Sequence, residues 1–318
     1  MLGYTRREAL QAGVGLAAGI ALSANLAHAQ QSAKQAEVPQ GSGFIDAHVH
    51  VWTPDLAKYP LAAGFKREEM KPASFTPEEL LAQARPCGVD RIVLIQMSFY
   101  RFDNSYMLDT IRRFPGVFSG VAVIDEEAKD PAAEMRRMKS LGVRGFRIRP
   151  NERPVETWLD GPGMAAMWRC GASENLAMCH LVNPDSLPAI DRMCQKHPDT
   201  PVVIDHMARI GVDGAVRDAE VESLCRLAKH KNTSVKISAF YALGKKQAPY
   251  LDLAPMIRRL LDAYGRERLM WATDCPFQVQ DGHTYAQSIE LVRDRLDFLS
   301  EEDRQWLLRK TAQRVFYS

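Results

Sequence analysis

From residue 44 onward, the chain alternates between short runs rich in Val, Ile and Phe and segments that carry helix signals. Near-continuous apolar strands separated by amphipathic helices are typical of a parallel β-sheet with both faces covered. The pattern predicts eight strands, within residues 44–52, 91–97, 117–124, 143–150, 175–182, 200–207, 233–240 and 268–277. Eight such units in about 275 residues predict an α/β fold, a closed (β/α)8 TIM barrel over residues 44–318. A doubly wound open sheet is the alternative that strand counting leaves open.

Helix starts are visible in several connecting segments. Thr76 begins "TPEEL", in which a threonine followed three residues later by a glutamate is typical of a capping box. Asn183 before "PDSLPAIDRM" and Ser300 before "EEDRQWLLRK" are further N-cap candidates. These starts predict helices after the first, fifth and eighth strands.

The first predicted strand, "FIDAHVHVW" from Phe44 to Trp52, has polar residues at every second position. Asp46, His48 and His50 alternate with apolar residues, so a regular strand presents all three on one face. Burying unpaired polar groups is costly. We therefore expect a polar partner or a ligand on that face.

Further polar residues stand late in other predicted strands, where the active site of a (β/α)8 barrel lies. His180 is late in strand five, His206 in strand six and Asp274 in strand eight, as His48 and His50 are in strand one. Each residue alone has a structural explanation, such as a hydrogen-bonded core histidine. Imidazoles and a carboxylate that converge at one mouth form a ligand set for a divalent metal, typically Zn²⁺ with an open position for water.

These residues carry a family pattern. D-x-H-x-H on strand one, a histidine on strand five, "DH" on strand six and "TDCP" on strand eight resemble the amidohydrolase superfamily. The segments "IQMSFYRFDNSYMLDTI", "LGVRGFRI", "PVVIDHMAR" and "LMWATDCPF" resemble its amidohydrolase-related (amidohydrolase 2) family. Within that family they are most similar to the lactonase branch, which includes the relatives of 2-pyrone-4,6-dicarboxylate lactonase. The resemblance extends from Phe44 to the C-terminal "TAQRVF".

The resemblance implies a set of roles for these residues. Binuclear members bridge two metals through a carboxylated lysine on strand four, but strand four here reads "RGFRIRP", so one metal is implied. The implied ligands are His48, His50, His180 and Asp274, with His206 as a nearby acid/base and Asp274 also activating water. The expected ion is Zn²⁺. Some lactonases of this branch work without metal, so metal-free catalysis by Asp274 remains the alternative.

Candidate substrate-binding residues lie after strands two and four. Arg147 and Arg149 alternate to one face of strand four and are suited to hold a carboxylate or sulfonate, although a salt-bridge layer inside the barrel is equally compatible. Ser98, Tyr100 and Asn104 stand in the segment that resembles the lactonases' substrate loop. A helix cap at Asp103 or Asn104 is the alternative for this segment.

Three functions of different classes account for this pattern. The first is a hydrolase that opens a lactone or related carboxylic ester with activated water. The second is a metal-dependent nonoxidative decarboxylase of an aromatic or unsaturated carboxylic acid, which needs the same metal set. The third is a non-catalytic binding protein, which leaves the retained acid, base and ligands unexplained. The segment after strand two favours the hydrolase.

The overall charge argues for a small-molecule substrate rather than a polyanionic partner. The formal net charge is only +2, and no basic tract with interleaved aromatic residues is present. We therefore expect no nucleic-acid partner. The oligomeric state stays open, and a homo-oligomer is compatible with the sequence.

The first 43 residues differ from the rest. Arg6 and Arg7 precede a weakly apolar run, and a small-x-small cleavage site follows near Ala27–Ala29, which resembles a twin-arginine export signal over residues 1–29. An N-terminal amphipathic helix is the alternative. The apolar run is too short and too weakly apolar to predict a stable membrane anchor. Residues 30–43 are then a flexible lead, and the periplasm is the expected location.

Overall fold

Eight strands form at the positions that the sequence predicts, and the second of them begins two residues earlier than predicted, at Val89. The computed structural model describes residues 43–150 and 153–318. The predicted export signal lies outside the described residues, and so does the predicted flexible lead apart from Gly43. The strands are β1 (Phe44–Val49), β2 (Val89–Ile95), β3 (Phe118–Ala122), β4 (Val143–Ile148), β5 (Ala177–His180), β6 (Val202–Ile204), β7 (Thr233–Ile237) and β8 (Leu269–Trp271).

The strands pair in chain order, and each is parallel to the next from β1 through β8. The first and last strands meet at their carboxyl ends. There the His50 amide donates to the Cys275 carbonyl (2.8 Å) and the Asp274 amide donates to the His48 carbonyl (2.9 Å). These bonds join the two ends of the sheet, whereas an open sheet keeps two free edges. The predicted (β/α)8 barrel is therefore confirmed.

Helices cover the outside of the barrel, and local caps set where two of them begin. Thr76 and Glu79 form a reciprocal capping box, as do Ser300 and Asp303. Within the described ranges, no helix is long and apolar enough to cross a bilayer. The helices are α1 (Pro77–Ala84), α2 (Ser105–Arg113), α3 (Pro131–Ser140), α4 (Pro162–Glu174), α5 (Leu187–Lys196), α6 (Asp218–Arg226), α7 (Ala254–Tyr264), α8 (Tyr285–Glu290), α9 (Glu301–Gln305) and α10 (Thr311–Phe316).

The alternation of side chains along the strands divides the core into two layers. Outward-facing side chains such as Val235 and Ile237 of β7 pack with the helices in the larger hydrophobic cluster, here called the outer cluster. Inward-facing side chains such as Ala47 of β1 and Cys179 of β5 form a smaller cluster inside the barrel, here called the inner cluster. Membership of one or the other shows which side of the barrel wall a strand residue faces.

The C-terminal helix closes the end of the barrel where the strands begin. Phe316 of α10 belongs to the inner cluster. The Tyr317 hydroxyl donates to the carbonyls of Ile92 (2.8 Å) and Val117 (2.9 Å), near the starts of β2 and β3. The carboxyl ends of the strands therefore form the open mouth, which is where the polar residues of the sequence pattern lie.

Candidate active site

A β-bulge in β1 decides where its histidines point. Between Asp46 and Val49, β1 advances by three residues while its partner β2 advances by two. The extra residue reverses the alternation of side chains between the two faces. Ala47 lies in the inner cluster before the bulge, and Val49 lies in the outer cluster after it. As a result, His48 and His50 both face the interior at the mouth.

Asp46 precedes the bulge and has a structural role. Its carboxylate accepts hydrogen bonds from the Thr273 hydroxyl (2.5 Å), the Tyr285 hydroxyl (2.7 Å) and the Thr273 amide (3.0 Å). Burial raises its pKa to about 6 although these bonds oppose the shift. The prediction that Asp46 shares a face with His48 and His50 is therefore wrong, because the bulge separates it from them. Asp46 ties β1 to the segment after β8.

His48, His50 and Asp274 form a buried cluster at the mouth. Asp274 follows β8 with a backbone φ of 70°. Its Oδ1 lies 3.2 Å from Nε2 of His50 and 3.5 Å from Nε2 of His48. One ligand atom from each of the three residues lies within 4.8 Å of the other two. Two imidazoles and one carboxylate in this arrangement are compatible with a single metal ion.

The hydrogen bonds of His50 test whether a cation fits there. Its Nδ1 lies 2.9 Å from the Ile95 carbonyl oxygen, so Nδ1 carries the proton and donates. Nε2 of a neutral ring then presents its lone pair to Asp274 Oδ1, and two acceptors 3.2 Å apart repel unless a cation accompanies them. A ligating histidine usually donates its other nitrogen to a carbonyl or carboxylate. The residues present therefore fit one divalent ion held by His48, His50 and Asp274, with a position left for water or substrate.

The second oxygen of Asp274 has its own partner. The Tyr241 hydroxyl donates to Oδ2 at 2.7 Å. Burial alone would raise the pKa of Asp274, but the imidazoles of His206, His50 and His48 hold that pKa well below its ordinary value. Burial and the neighbouring carboxylate raise the pKa of Tyr241, so its phenol stays a donor. Asp274 is thus an ionised carboxylate with one oxygen fixed and the other directed at the histidines.

A left-handed turn after β6 places His206. The residues of the turn, His206–Arg209, have φ values between 51° and 57°, a conformation that costs non-glycine residues about 1–2 kcal/mol each. Nε2 of His206 lies 3.8 Å from Asp274 Oδ1, and Nδ1 lies 2.8 Å from the Ser238 hydroxyl. Burial lowers the pKa of His206 to about 4, so the ring is neutral at pH 7. Such strain is typical of active sites.

His180 is not part of the cluster, which corrects its assignment as a metal ligand. Its strand neighbour Cys179 faces the interior, so His180 faces the helices. Its ring packs 5.7 Å from Trp158 and 5.6 Å from Trp168, centroid to centroid. Neither ring nitrogen has a hydrogen-bond partner among the described residues. Burial lowers its pKa to about 3. The small residues Ala177 and Cys179 beside it in the strand are a sequence signal that could have indicated this orientation.

A cavity of about 1230 Å³ opens at the mouth. It is lined by residues of the cluster and by several guanidinium groups. Arg147 contacts Asp205 (3.7 Å). Burial, together with the positive charges of Arg147 and Arg101, lowers the pKa of Arg149. The predicted site residues that line the cavity are His50, Ser98, Arg147, Arg149, His206 and Asp274.

Tyr100 and Asn104 are not among the lining residues, which corrects their assignment to substrate binding. The buried Tyr100 hydroxyl lies 3.5 Å from the Thr53 amide. The Asn104 side chain donates to the carbonyls of Phe102 and Val123 (2.9 Å each) and accepts from the Val123 amide (3.1 Å). Asn104 is the N-cap residue of α2 without a side-chain capping bond, and the Ser105 amide at the start of α2 donates to Asp103 Oδ1 (3.0 Å), which supports the helix-cap alternative. Tyr100 and Asn104 brace the loops that follow β2 and β3.

Sequence reasoning missed a second layer of residues around the cluster. Lys236 contacts Asp205 (3.1 Å), and Asp205 contacts Nδ1 of His48 (3.4 Å). Burial, together with the Lys236 ammonium, holds the pKa of His48 well below its ordinary value. Lys236 and Ser238 alternate on one face of strand seven, and Asp205 directly precedes His206. Those positions could have indicated that these residues lie near the cluster, but only the fold shows what each side chain contacts.

Comparison with known proteins places the chain in a family. It is 27% identical over 243 residues to an L-fucono-1,5-lactonase from Burkholderia ambifaria, covering 75% of this chain and 82% of the relative. It is 28% identical over 261 residues to a 2-pyrone-4,6-dicarboxylate hydrolase from Comamonas testosteroni, covering 78% of this chain and 81% of the relative. These proteins are named for reactions of cyclic esters.

Solved structures show the same fold. A protein from Pseudomonas putida assigned as a 2-pyrone-4,6-dicarboxylic acid hydrolase superposes with a TM-score of 0.72 at 25% identity, over 86% of this chain and 97% of that one. A zinc-bound amidohydrolase from Burkholderia multivorans superposes with a TM-score of 0.75 at 21% identity, over 87% and 99%. The family model for amidohydrolases matches residues 45–317. The chain therefore belongs to the amidohydrolase family.

Proposed function

We propose that this chain hydrolyses the ester bond of a lactone, with Asp274 as the general base. The observation that carries the proposal is the placement of Asp274. Its buried carboxylate lies in the cavity wall, with Oδ2 held by Tyr241 (2.7 Å) and Oδ1 directed at the imidazoles of His48, His50 and His206. The names of the related lactone hydrolases support the same reaction.

One divalent metal is part of the proposal. The donor set of two imidazoles and a carboxylate suits Zn²⁺, and His48, His50 and Asp274 are the residues that would hold it. When bound, such an ion supplies positive charge that polarises an ester carbonyl and makes water more acidic. Elemental analysis of the purified protein should find one divalent ion per chain, and full activity in chelator would instead support metal-free catalysis.

The residues of the chain account for the proton transfers. Asp274 takes a proton from the attacking water while the water oxygen bonds to the lactone carbonyl carbon. The ring C–O bond then breaks, and the same proton passes to the departing alkoxide oxygen. Tyr241 keeps Asp274 in the orientation that this transfer requires, because its hydrogen bond fixes Oδ2 and leaves Oδ1 directed at the cluster. The products are a hydroxyl group and a carboxylic acid on one open-chain molecule.

His206 is placed to stabilise the oxyanion. Its Nδ1 lies 2.8 Å from the Ser238 hydroxyl, and its Nε2 faces Asp274 at 3.8 Å. When the Ser238 hydroxyl donates to Nδ1, the neutral ring carries its proton on Nε2 and can donate to the developing oxyanion. The low pKa of His206, about 4, keeps the ring neutral at pH 7 and makes it a hydrogen-bond donor rather than an acid.

The substrate is proposed to carry an anionic group. Arg147 and Arg149 line the cavity, as do Arg101 and Arg209. Several guanidinium groups in the cavity lining favour a carboxylate or a similar planar anion, which arginine can hold through two hydrogen bonds. The dicarboxylate in the name of one relative is consistent with this.

A proton-release assay tests the function and separates it from decarboxylation. Hydrolysis of a lactone produces a carboxylic acid and releases a proton, whereas decarboxylation releases CO₂ and consumes one. We expect acidification without CO₂ on a panel of five- and six-membered lactones, with faster turnover of carboxylate-bearing members. The Asp274→Asn variant is the control for catalysis at this site. CO₂ release from aromatic acids, with no lactone hydrolysed, would favour the decarboxylase alternative, which the related lactone hydrolases make the weaker one.

We also propose export of the folded protein through a twin-arginine pathway, with a mature chain that begins near Gln30. The proposal rests on Arg6 and Arg7 ahead of a weakly apolar run and on "AHAQ" after it. Replacing both arginines with lysine should retain the protein in the cytoplasm, as judged by cell fractionation and N-terminal sequencing. Unchanged export would refute this pathway.

A further inference from the structure

Lys236 is a fully buried lysine inside the barrel, and the proposed reaction does not use it. Its neighbours in β7 pack in the outer cluster, so Lys236 points inward. Nζ lies 3.1 Å from Asp205 Oδ1, 3.2 Å from His48 Nδ1 and 5.1 Å from the centre of the Phe316 ring. A buried ammonium is costly unless it is paired. Its position between the closed end of the barrel and the cluster therefore suggests a role toward His48.

The donors and acceptors around His48 define the tautomer of its ring. The Arg147 guanidinium lies 3.3 Å from Nε2. Arginine only donates hydrogen bonds, and the Lys236 ammonium, 3.2 Å from Nδ1, is likewise only a donor. We infer the neutral tautomer with the proton on Nδ1, in which Nε2 accepts from Arg147. The acceptor that faces Nδ1 is Asp205 Oδ1, at 3.4 Å. His48 therefore directs its lone pair toward the mouth and its N–H toward Asp205.

Lys236 and His48 share one carboxylate oxygen. Both Nζ of Lys236 and Nδ1 of His48 approach Oδ1 of Asp205, at 3.1 Å and 3.4 Å. Two donors that share one acceptor come close to each other, which accounts for the 3.2 Å between Nζ and Nδ1. Removing the ammonium would free Asp205 to turn toward Arg147, which already contacts its Oδ2 at 3.7 Å. The acceptor of His48 would then move away.

We propose that Lys236 is a positioning residue that acts on His48 through Asp205. The ion pair holds the Asp205 carboxylate beneath His48, which fixes the His48 ring with Nδ1–H toward Asp205 and Nε2 toward Asp274, 3.5 Å away. This chain of contacts joins β7, β6 and β1. These contacts pre-orient His48 before metal or substrate binds. The proposal rests on the proposed function only for its catalytic consequence.

Lys236→Met tests the assignment in the metal-free protein. Nitrogen NMR of ¹⁵N-histidine-labelled protein, assigned with His48→Gln, should report the Nδ1–H tautomer in the wild type and a mixture in the variant. Zn²⁺ affinity, measured by competition with a chromophoric chelator, should fall by about 10–100-fold, the usual effect of losing an outer partner of a ligating histidine. Lys236→Arg should restore part of the affinity. The matched control is Lys245→Met, at an exposed lysine on the loop that follows β7.

A double variant keeps the test decisive if Lys236→Met does not fold. Lys236→Met combined with Asp205→Asn removes both charges of the ion pair, so neither Lys236 nor Asp205 is left buried without its partner. It should fold by circular dichroism and still lose the His48 tautomer preference. The proposal is overturned if the folded variants keep the wild-type tautomer and Zn²⁺ affinity. That outcome is independent of whether any lactone is hydrolysed, so it can be told apart from a failure of the proposed function.

Discussion

The barrel wall carries histidines on both of its sides, and the two sides surround them differently. Inside the mouth, His50 and His206 lie 3.2 Å and 3.8 Å from Asp274, and the other nitrogen of each ring faces a carbonyl or a hydroxyl. On the outer side, His180 lies between Trp158 and Trp168 with no hydrogen-bond partner among the described residues. All three histidines are buried near strand ends.

The difference shows that burial by itself does not make a histidine functional. Burial lowers the pKa of His206 to about 4 and that of His180 to about 3, so both rings are neutral at pH 7. Only His206 has partners that orient it toward a carboxylate. A buried imidazole with such partners can donate to a substrate, whereas one without partners only adds a desolvation cost.

The largest expected effect is a loss of kcat from a substitution on the inner side of the barrel wall, at Asp274. Asp274→Asn keeps the shape of the side chain but removes the base, so kcat should fall by about 10²–10⁴-fold. Steady-state kinetics on a lactone that the wild type hydrolyses provide the measurement, with circular dichroism and metal analysis as controls. A folded, metal-loaded variant with near-native kcat would make the carboxylate structural.

Replacement of a histidine on each side of the barrel wall tests the comparison directly. His206→Asn should lower kcat by about 10²-fold or more while metal content is retained, because a donor to the oxyanion is lost. His180→Leu should leave kcat close to that of the wild type. Equal losses of kcat in the two variants would show that His180 contributes to catalysis from outside the cluster.

The guanidinium groups of the cavity should act on binding more than on turnover. Arg149→Met should weaken kcat/KM by about 1.5–3 kcal/mol, mainly through KM, if a charge-assisted bond to the substrate is lost. Arg153→Met is the matched control, because Arg153 lines the same cavity but already pairs with Glu126 at 2.8 Å. The same change in KM for both variants would argue against a specific anion contact at Arg149.

His180 should affect stability and its dependence on pH. Its pKa is about 3 in the folded chain against 6.5 in an unfolded one, so below pH 6.5 the unfolded state binds the additional proton. The free energy of unfolding should therefore fall as pH drops from 6.5 toward 3, by about 1.4 kcal/mol per unit from this residue. In His180→Leu this part of the loss should disappear, and removal of two unpaired buried nitrogens should raise the free energy of unfolding by about 1–3 kcal/mol at neutral pH as well. Urea unfolding at several pH values measures both effects.

The smallest effect is expected on the free energy of unfolding, from a substitution in the left-handed turn at the mouth. Ala208 has a φ of 53°, which glycine adopts without strain, so Ala208→Gly should raise the free energy of unfolding by about 1 kcal/mol. The matched control is an Ala→Gly change in a regular helix, such as Ala133 of α3, which should lower it by about the same amount. A decrease in both variants would show that the turn is not strained.

Local patterns were sufficient to predict the barrel and most of the residues at its mouth. Apolar runs and caps such as the box at Thr76 act over a few residues, and barrel geometry then brings late-strand positions together. The structure accordingly brings His48, His50, His206 and Asp274 to one place. The sequence also determined the cationic character of the cavity, because Arg147 and Arg149 alternate on one strand.

Only the tertiary structure decided which face each polar side chain takes and what it contacts. The bulge that separates Asp46 from His48 depends on register with β2, and the sequence of β1 alone does not contain that register. The contact of Lys236 with Asp205 and His48 likewise joins three strands that are distant in the chain. Such contacts are set by packing across the whole barrel, which brings together residues that no local pattern relates.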